Sequence, residues 1–111
     1  VRESLRDMIR SGRRHVTIED IQKAICQHYS LRASAMHSAR RSRSIARPRQ
    51  IAMYLCKALT EKSLPDIGRA FGGRDHTTVI HAVKRIEELM KKDEDLEHNV
   101  HLLRQSLKSG V

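Results

Sequence analysis

Asp75-His76-Thr77-Thr78 gathers a carboxylate, an imidazole and two hydroxyls into consecutive positions, directly after Phe71-Gly72-Gly73-Arg74. The chemistry open to such a set is recognition by hydrogen bonds. A carboxylate accepts from the amino group of cytosine or adenine, an imidazole hydrogen-bonds or packs on a thymine methyl, and a threonine offers both hydroxyl and methyl. Plainer duties fit the same residues: Asp75 can cap a helix, and Thr77 and Thr78 can face solvent. A carboxylate near phosphates is repelled, so beside a nucleic acid Asp75 must cap the helix, accept from a base, or do both.

Other chemistries find less support. Seven histidines and two cysteines invite a metal site, but His76 and His81 stand about 140 degrees apart on a helix and cannot share an ion on one face. His98 and His101 do share a face, without a cysteine near them in sequence. No P-loop, nucleophile elbow or carboxylate pair suited to catalysis occurs, so this chain is expected to be no enzyme and to hold no cofactor of its own. Cys26 and Cys56 sit singly in apolar helical patterns and read as reduced core residues of a cytosolic protein.

A second functional cluster precedes the first: Arg40, Arg41, Arg43, Arg47 and Arg49, interrupted by Ser42, Ser44 and Pro48. The formal net charge of the 111 residues is +9, and it is unevenly spread. Residues 21–60 carry eight basic groups and no acidic one, whereas residues 87–111 carry four basic and six acidic. A merely solvated helix intersperses acids for i,i+4 pairing, so the acid-free window points to a polyanion. Nucleic acid leads and an anionic membrane surface comes second, because each cation set on a phosphate releases condensed counterions. A flexible basic loop ahead of a helix can enter the narrow, electronegative minor groove.

The elements that must position these clusters are helical. Hydrophobic residues make up 39% and aromatics 3%, with no Trp, so the core is aliphatic, and no useful segment alternates apolar and polar. Val1, Leu5, Met8 and Ile9 form one stripe of a first helix that ends at Ser11-Gly12. Thr17 with Asp20 starts a helix carrying Ile18, Ile21 and Ile25 to about Tyr29. A short helical piece over Ala33–His37 leads to the arginines. Pro48 fits the first turn of a central helix whose stripe is Ile51, Ala52, Leu55, Ala58 and Leu59. Ser63 caps a short helix with Leu64, Ile67, Ala70 and Phe71, Gly72-Gly73 breaks it, and Asp75 caps a longer one with Val79, Ile80, Val83, Ile86 and Leu89 or Met90 facing inward. An amphipathic stretch over about Leu96–Leu107 closes the domain.

The expected fold is thus an all-α, compact helical bundle containing a helix-turn-helix preceded by a basic loop. A short helix, a glycine turn and a longer helix opening on small polar residues is the layout of that motif, whose second helix enters the major groove by its N-terminal end.

Arg40-Arg41-Ser42-Arg43-Ser44-Ile45-Ala46-Arg47-Pro48-Arg49-Gln50 and Phe71-Gly72-Gly73-Arg74-Asp75-His76-Thr77-Thr78-Val79 resemble, in order and separation, the two signature stretches of the C-terminal DNA-binding domain of the bacterial DnaA family. The resemblance covers about Val16 to Leu107. It implies that residues 1–15 are a linker helix and the end of a preceding AAA+ module, that residues 16–111 are the DNA-binding domain, and that ATP is bound by the AAA+ module. It implies that Arg41 enters the minor groove, that Asp75, His76 and Thr77 contact bases in the major groove, and that Gln50, Lys57, Leu64, Pro65 and Thr78 hold the phosphate backbone, partly through main-chain N–H groups. Arg43, Arg49 and Arg74 join the backbone contacts on charge and position alone. The implied partner is a double-stranded DnaA box bound by a monomer at a bacterial replication origin, with regulatory proteins as further partners. Cys26-Gln27-His28, Tyr54 and the linker Ser11-Gly12-Arg13-Arg14-His15 depart from the family pattern.

The rivals are a transcriptional regulator's helix-turn-helix, a basic bundle for RNA or anionic lipid, and a protein-docking surface on Leu96–Leu107. RNA readers offer exposed aromatics for stacking, whereas Tyr29, Tyr54 and Phe71 suit the core. No apolar run approaches the roughly 20 residues needed to span a bilayer, and no signal-peptide pattern opens the chain. A place in the bacterial cytoplasm, at the nucleoid, is the expectation.

Overall fold

The computed structural model describes residues 16–37 and 43–108. The helix expected over the first ten residues lies outside them. Among the described residues, α1 (Ile18–Tyr29), α2 (Arg43–Leu59), α3 (Leu64–Ala70), α4 (His76–Lys92) and α5 (Glu94–Lys108) form a bundle, with a single 3-10 turn at Ala33–Met36.

Local chemistry accounts for most boundaries. The Thr17 hydroxyl accepts from the Asp20 N–H at 3.0 Å, and the Asp20 carboxylate accepts from the Thr17 N–H at 3.2 Å, a reciprocal capping box. The α1 helix ends at Ser30, whose φ of 56° is left-handed and whose N–H turns back to the Cys26 carbonyl. Ser63 caps α3 by accepting from the Asp66 N–H at 3.3 Å, and Pro65 sits in the first turn, where a missing N–H leaves no helical bond unmade.

The central helix starts earlier than its proline suggests. Pro48 lies inside α2, which begins at Arg43. A proline at that depth forgoes only the bond to the Ser44 carbonyl, close to the helix start. Ile45 packs against the core and ties down the added turn. The basic stretch is therefore divided: residues 43, 47 and 49 ride on a helix, while Arg40 and Arg41 lie outside the described residues.

The α2 helix occupies the middle, packed chiefly on α4 and α1. Ile51, Ala52, Leu55 and Cys56 of α2 meet Ile21 and Ile25 of α1, Ile67 of α3, and Val79 and Ile86 of α4 in one core, closed by Val100 and Leu103 of α5. Ala58, expected in the apolar stripe, faces solvent. Phe71 is fully buried, and Tyr29 and Tyr54 are half-buried against the core, so none of the three is an open stacking platform. Both cysteines are free and buried, and burial pushes the Cys56 thiol up to about 12. Among the described residues no helix is long and apolar enough to cross a membrane.

The capping box makes a direct prediction. Thr17→Ala should cost about 1 kcal/mol of stability in urea denaturation with an unchanged m-value, and a variant as stable as the parent would show that α1 does not depend on this cap.

Candidate nucleic-acid interface

The corner between α3 and α4 is set by backbone contacts. The Phe71 N–H donates to the Gly68 carbonyl at 3.1 Å, and the Arg74 N–H donates to the same carbonyl at 2.8 Å. Gly72 and Gly73 adopt φ of 91° and 75°, which only glycine takes without strain. Gly68 is needed for a different reason: a β-carbon there would lie 2.2 Å from the Arg74 carbonyl oxygen. The chain packs backbone on backbone at this point. Gln22 of α1 donates to the Ala70 carbonyl at 2.9 Å and braces the end of α3.

That corner presents the start of α4 to solvent. Asp75, His76, Thr77 and Thr78 are all exposed. Asp75 occupies the N-cap position with extended backbone, as expected, but its side chain makes no capping bond. Its carboxylate instead accepts from the Thr77 hydroxyl at 3.1 Å, and the His76 Nδ1 lies 3.2 Å from the other oxygen. Capping by the side chain, one of the duties expected of Asp75, is therefore not made here.

The expected backbone contacts are spread over α2, α3 and the start of α4. Leu64, half-buried, and Pro65, exposed, stand at the start of α3. Arg74, Thr78 and Gln50 line a notch between α2 and α4. Lys57 is exposed two turns along α2 from Gln50, on the same side and roughly 10 Å away by helical rise. Arg43 opens α2.

Arg49 is placed differently from the other expected contacts. The residue is only 6% exposed, and its guanidinium donates to the Ala35 carbonyl at 3.4 Å. Burial, and then the nearby positive charge of Arg74, hold its pKa below the usual arginine value. Arg49 works as a buried cation beneath the surface instead of reaching out from it.

On α3, Asp66 accepts from the Ser63 hydroxyl and is paired with Arg69, and these bonds hold its carboxyl below the usual range. The help this ionised carboxylate gives α3 is present above the ordinary carboxylate pKa and is lost as pH falls through the lowered one.

Two helices joined by a tight turn, the second opening on an exposed polar set beside a cationic notch, define a helix-turn-helix domain. The family described as bacterial dnaA protein helix-turn-helix matches residues 18–86. The chain is 58% identical over 103 residues to the chromosomal replication initiator protein DnaA of Zymomonas mobilis subsp. mobilis, covering 93% of this chain and 21% of that protein. It is 55% identical over 105 residues to the protein of that name from Rickettsia africae, covering 95% and 23%. A solved structure described as a DNA replication initiation factor superposes with a TM-score of 0.76 at 33% identity, over 85% of this chain and 29% of the other. The chain belongs to the bacterial DnaA family, and it spans between a fifth and a quarter of the length of these two relatives.

Sequence reasoning passed over Gly68, whose only signal was a glycine inside a short helix. The corner can be tested directly. Gly68→Ala should destabilise by about 1–3 kcal/mol or more in urea denaturation, since backbone cannot yield to the new methyl, and parent-like stability would show that the α3–α4 approach is looser than 2.2 Å implies.

Proposed function

We propose that this chain reads a DnaA-box-like duplex as a monomer, and so takes part in initiating chromosomal replication at a bacterial origin. The observation that carries the reading is the exposed Asp75-His76-Thr77 set, held at the start of α4 by the Gly68–Arg74 corner. Short polar side chains in a first turn lower helix propensity and serve no core, so their value lies in what they contact. The start of α4 enters the major groove with Asp75, His76 and Thr77 on base edges, and Arg41 enters the adjacent minor groove of an A·T-rich step.

Phosphate contacts from Arg43, Gln50, Lys57, Leu64, Pro65, Arg74 and Thr78 set the register. Arg49 adds its charge from beneath. Residues 1–15 are assigned to the end of an AAA+ module and its connecting helix, residues 16–111 to the DNA-binding domain, and ATP binding to the AAA+ module. The site of action is the bacterial cytoplasm at the nucleoid, with regulatory proteins as further partners.

Fluorescence-anisotropy titrations of substituted chains test these roles one by one. Arg41→Ala and His76→Ala should each cost about 1–3 kcal/mol on a box duplex and relax discrimination at individual base pairs. Equal weakening on every sequence would contradict base reading by that residue. Lys57→Ala should weaken box and scrambled duplexes alike and lower the salt slope by about one unit. An unchanged slope removes Lys57 from the phosphates.

A further inference from the structure

The glycine turn between α3 and α4 meets a second part of the fold. A β-carbon on Gly72 would lie 2.7 Å from the His37 carbonyl oxygen and 3.3 Å from the His37 Cα, so the two backbones are in direct contact. Gly73 is also left-handed, yet a β-carbon there would have nothing within 4 Å. Both sides of the Gly72 contact are held. Buried Phe71 and the two N–H groups on the Gly68 carbonyl fix the turn. On the other side Ala35 and Met36 are buried, the Arg49 guanidinium donates to the Ala35 carbonyl at 3.4 Å, and the Cys26 thiol donates to the Arg32 carbonyl at 3.5 Å. These bonds tie the 3-10 turn to α2 and α1. His37 closes that turn, its N–H donating to the Ser34 carbonyl at 3.1 Å. Arg41 follows His37 by four residues and so stands within about 14 Å of it by chain reach, and Arg43 opens α2 two residues later.

We propose that Gly72 is a positioning residue that joins the two groove readers: it seats the His37 backbone, and so fixes where the arginine stretch leaves the fold relative to the start of α4. The proposal rests on the DNA-binding reading given above and deepens it, since neither Gly72 nor His37 has a contact to DNA in that reading. A duplex sets the spacing between a minor-groove contact and the adjacent major-groove contact. Two contacts on one chain reinforce each other most when the tether between them matches that span, and a tether fixed before binding loses less freedom on docking. A side chain at residue 72 would force one of the two backbones to retreat. The turn is bonded twice through Gly68 and anchored by Phe71, whereas His37 is exposed and ends its own turn, so His37 is the side that gives. Arg41 then starts from a displaced root while α4 stays in place.

The minor groove distinguishes chiefly A·T from G·C, which gives each reader its own signature. Anisotropy titrations of this chain compare a DnaA-box duplex with a scrambled one and with two altered boxes. One alters an A·T pair to G·C in the part read from the minor groove, and the other alters a pair read by α4. Gly72→Ala should lose discrimination at the A·T pair, approaching the roughly 5–150-fold loss expected of Arg41→Ala, and should keep discrimination at the pair read by α4. Added to Arg41→Ala it should cost little more, because residues that act through one another are not additive. Gly73→Ala sets the same methyl on a left-handed backbone without meeting His37, and should keep the A·T preference. Inserting two glycines between His37 and Ser38 lengthens the tether with the turn untouched, and should reproduce the Gly72→Ala pattern even where Gly72→Ala itself folds poorly. Equal A·T losses in Gly72→Ala and Gly73→Ala, full additivity with Arg41→Ala, or an insertion that keeps the parent's A·T preference would each overturn the joining role. A parent that does not distinguish the box from the scrambled duplex contradicts the DNA-binding reading itself, and the joining role falls with it.

Discussion

Residue 68 has no room for a β-carbon, because the Arg74 carbonyl oxygen already occupies that space. This contact fixes how α4 leaves α3, and the two hydrogen bonds on the Gly68 carbonyl lock it from the other side. Phe71 lies buried under the same corner, so the turn is anchored to the core. Everything exposed at the start of α4 inherits its direction from this approach.

Charge is arranged around that geometry. No acidic residue stands in the first turn of α2, although a helix N-terminus favours negative charge by about 0.3–1 kcal/mol per residue. By contrast, α5 opens on Glu94, Asp95 and Glu97, and α4 closes on Lys91 and Lys92, both as the helix dipole prefers. The local rule is obeyed at the pole far from the corner and set aside along α2. The α2 start and the notch lined by Arg49, Gln50, Arg74 and Thr78 are thus left without carboxylates. At the start of α4 the Asp75 carboxylate is engaged by Thr77 and adjoins His76.

Much of this was legible in the residues. Thr17 with Asp20, Ser63 with Pro65, and Gly72-Gly73 are local signals, and local chemistry decided those boundaries. The aliphatic stripes identified the core, and the polar set after the glycine turn identified the exposed start of α4. The readings that changed depended on tertiary context. Pro48 signals a first turn, yet packing of Ile45 holds an earlier start. Arg49 reads as a surface cation, yet α2 turns it inward to the Ala35 carbonyl. Asp75 has the residue type and backbone of a side-chain cap, yet its carboxylate engages the Thr77 hydroxyl instead. Gly68 carries no local mark because the group that forbids a side chain there comes from another turn of the chain.

The central claim is that this domain reads duplex sequence through the start of α4, beyond any general attraction of a +9 chain to polyanions. One anisotropy titration at near-physiological salt addresses it, comparing a DnaA-box duplex, a scrambled duplex of equal composition and a matching RNA duplex. The account predicts tight binding to the box alone, lost on Asp75→Ala. Equal binding to all three, unaffected by that substitution, would contradict it and leave a basic helical bundle that attracts polyanions without reading them.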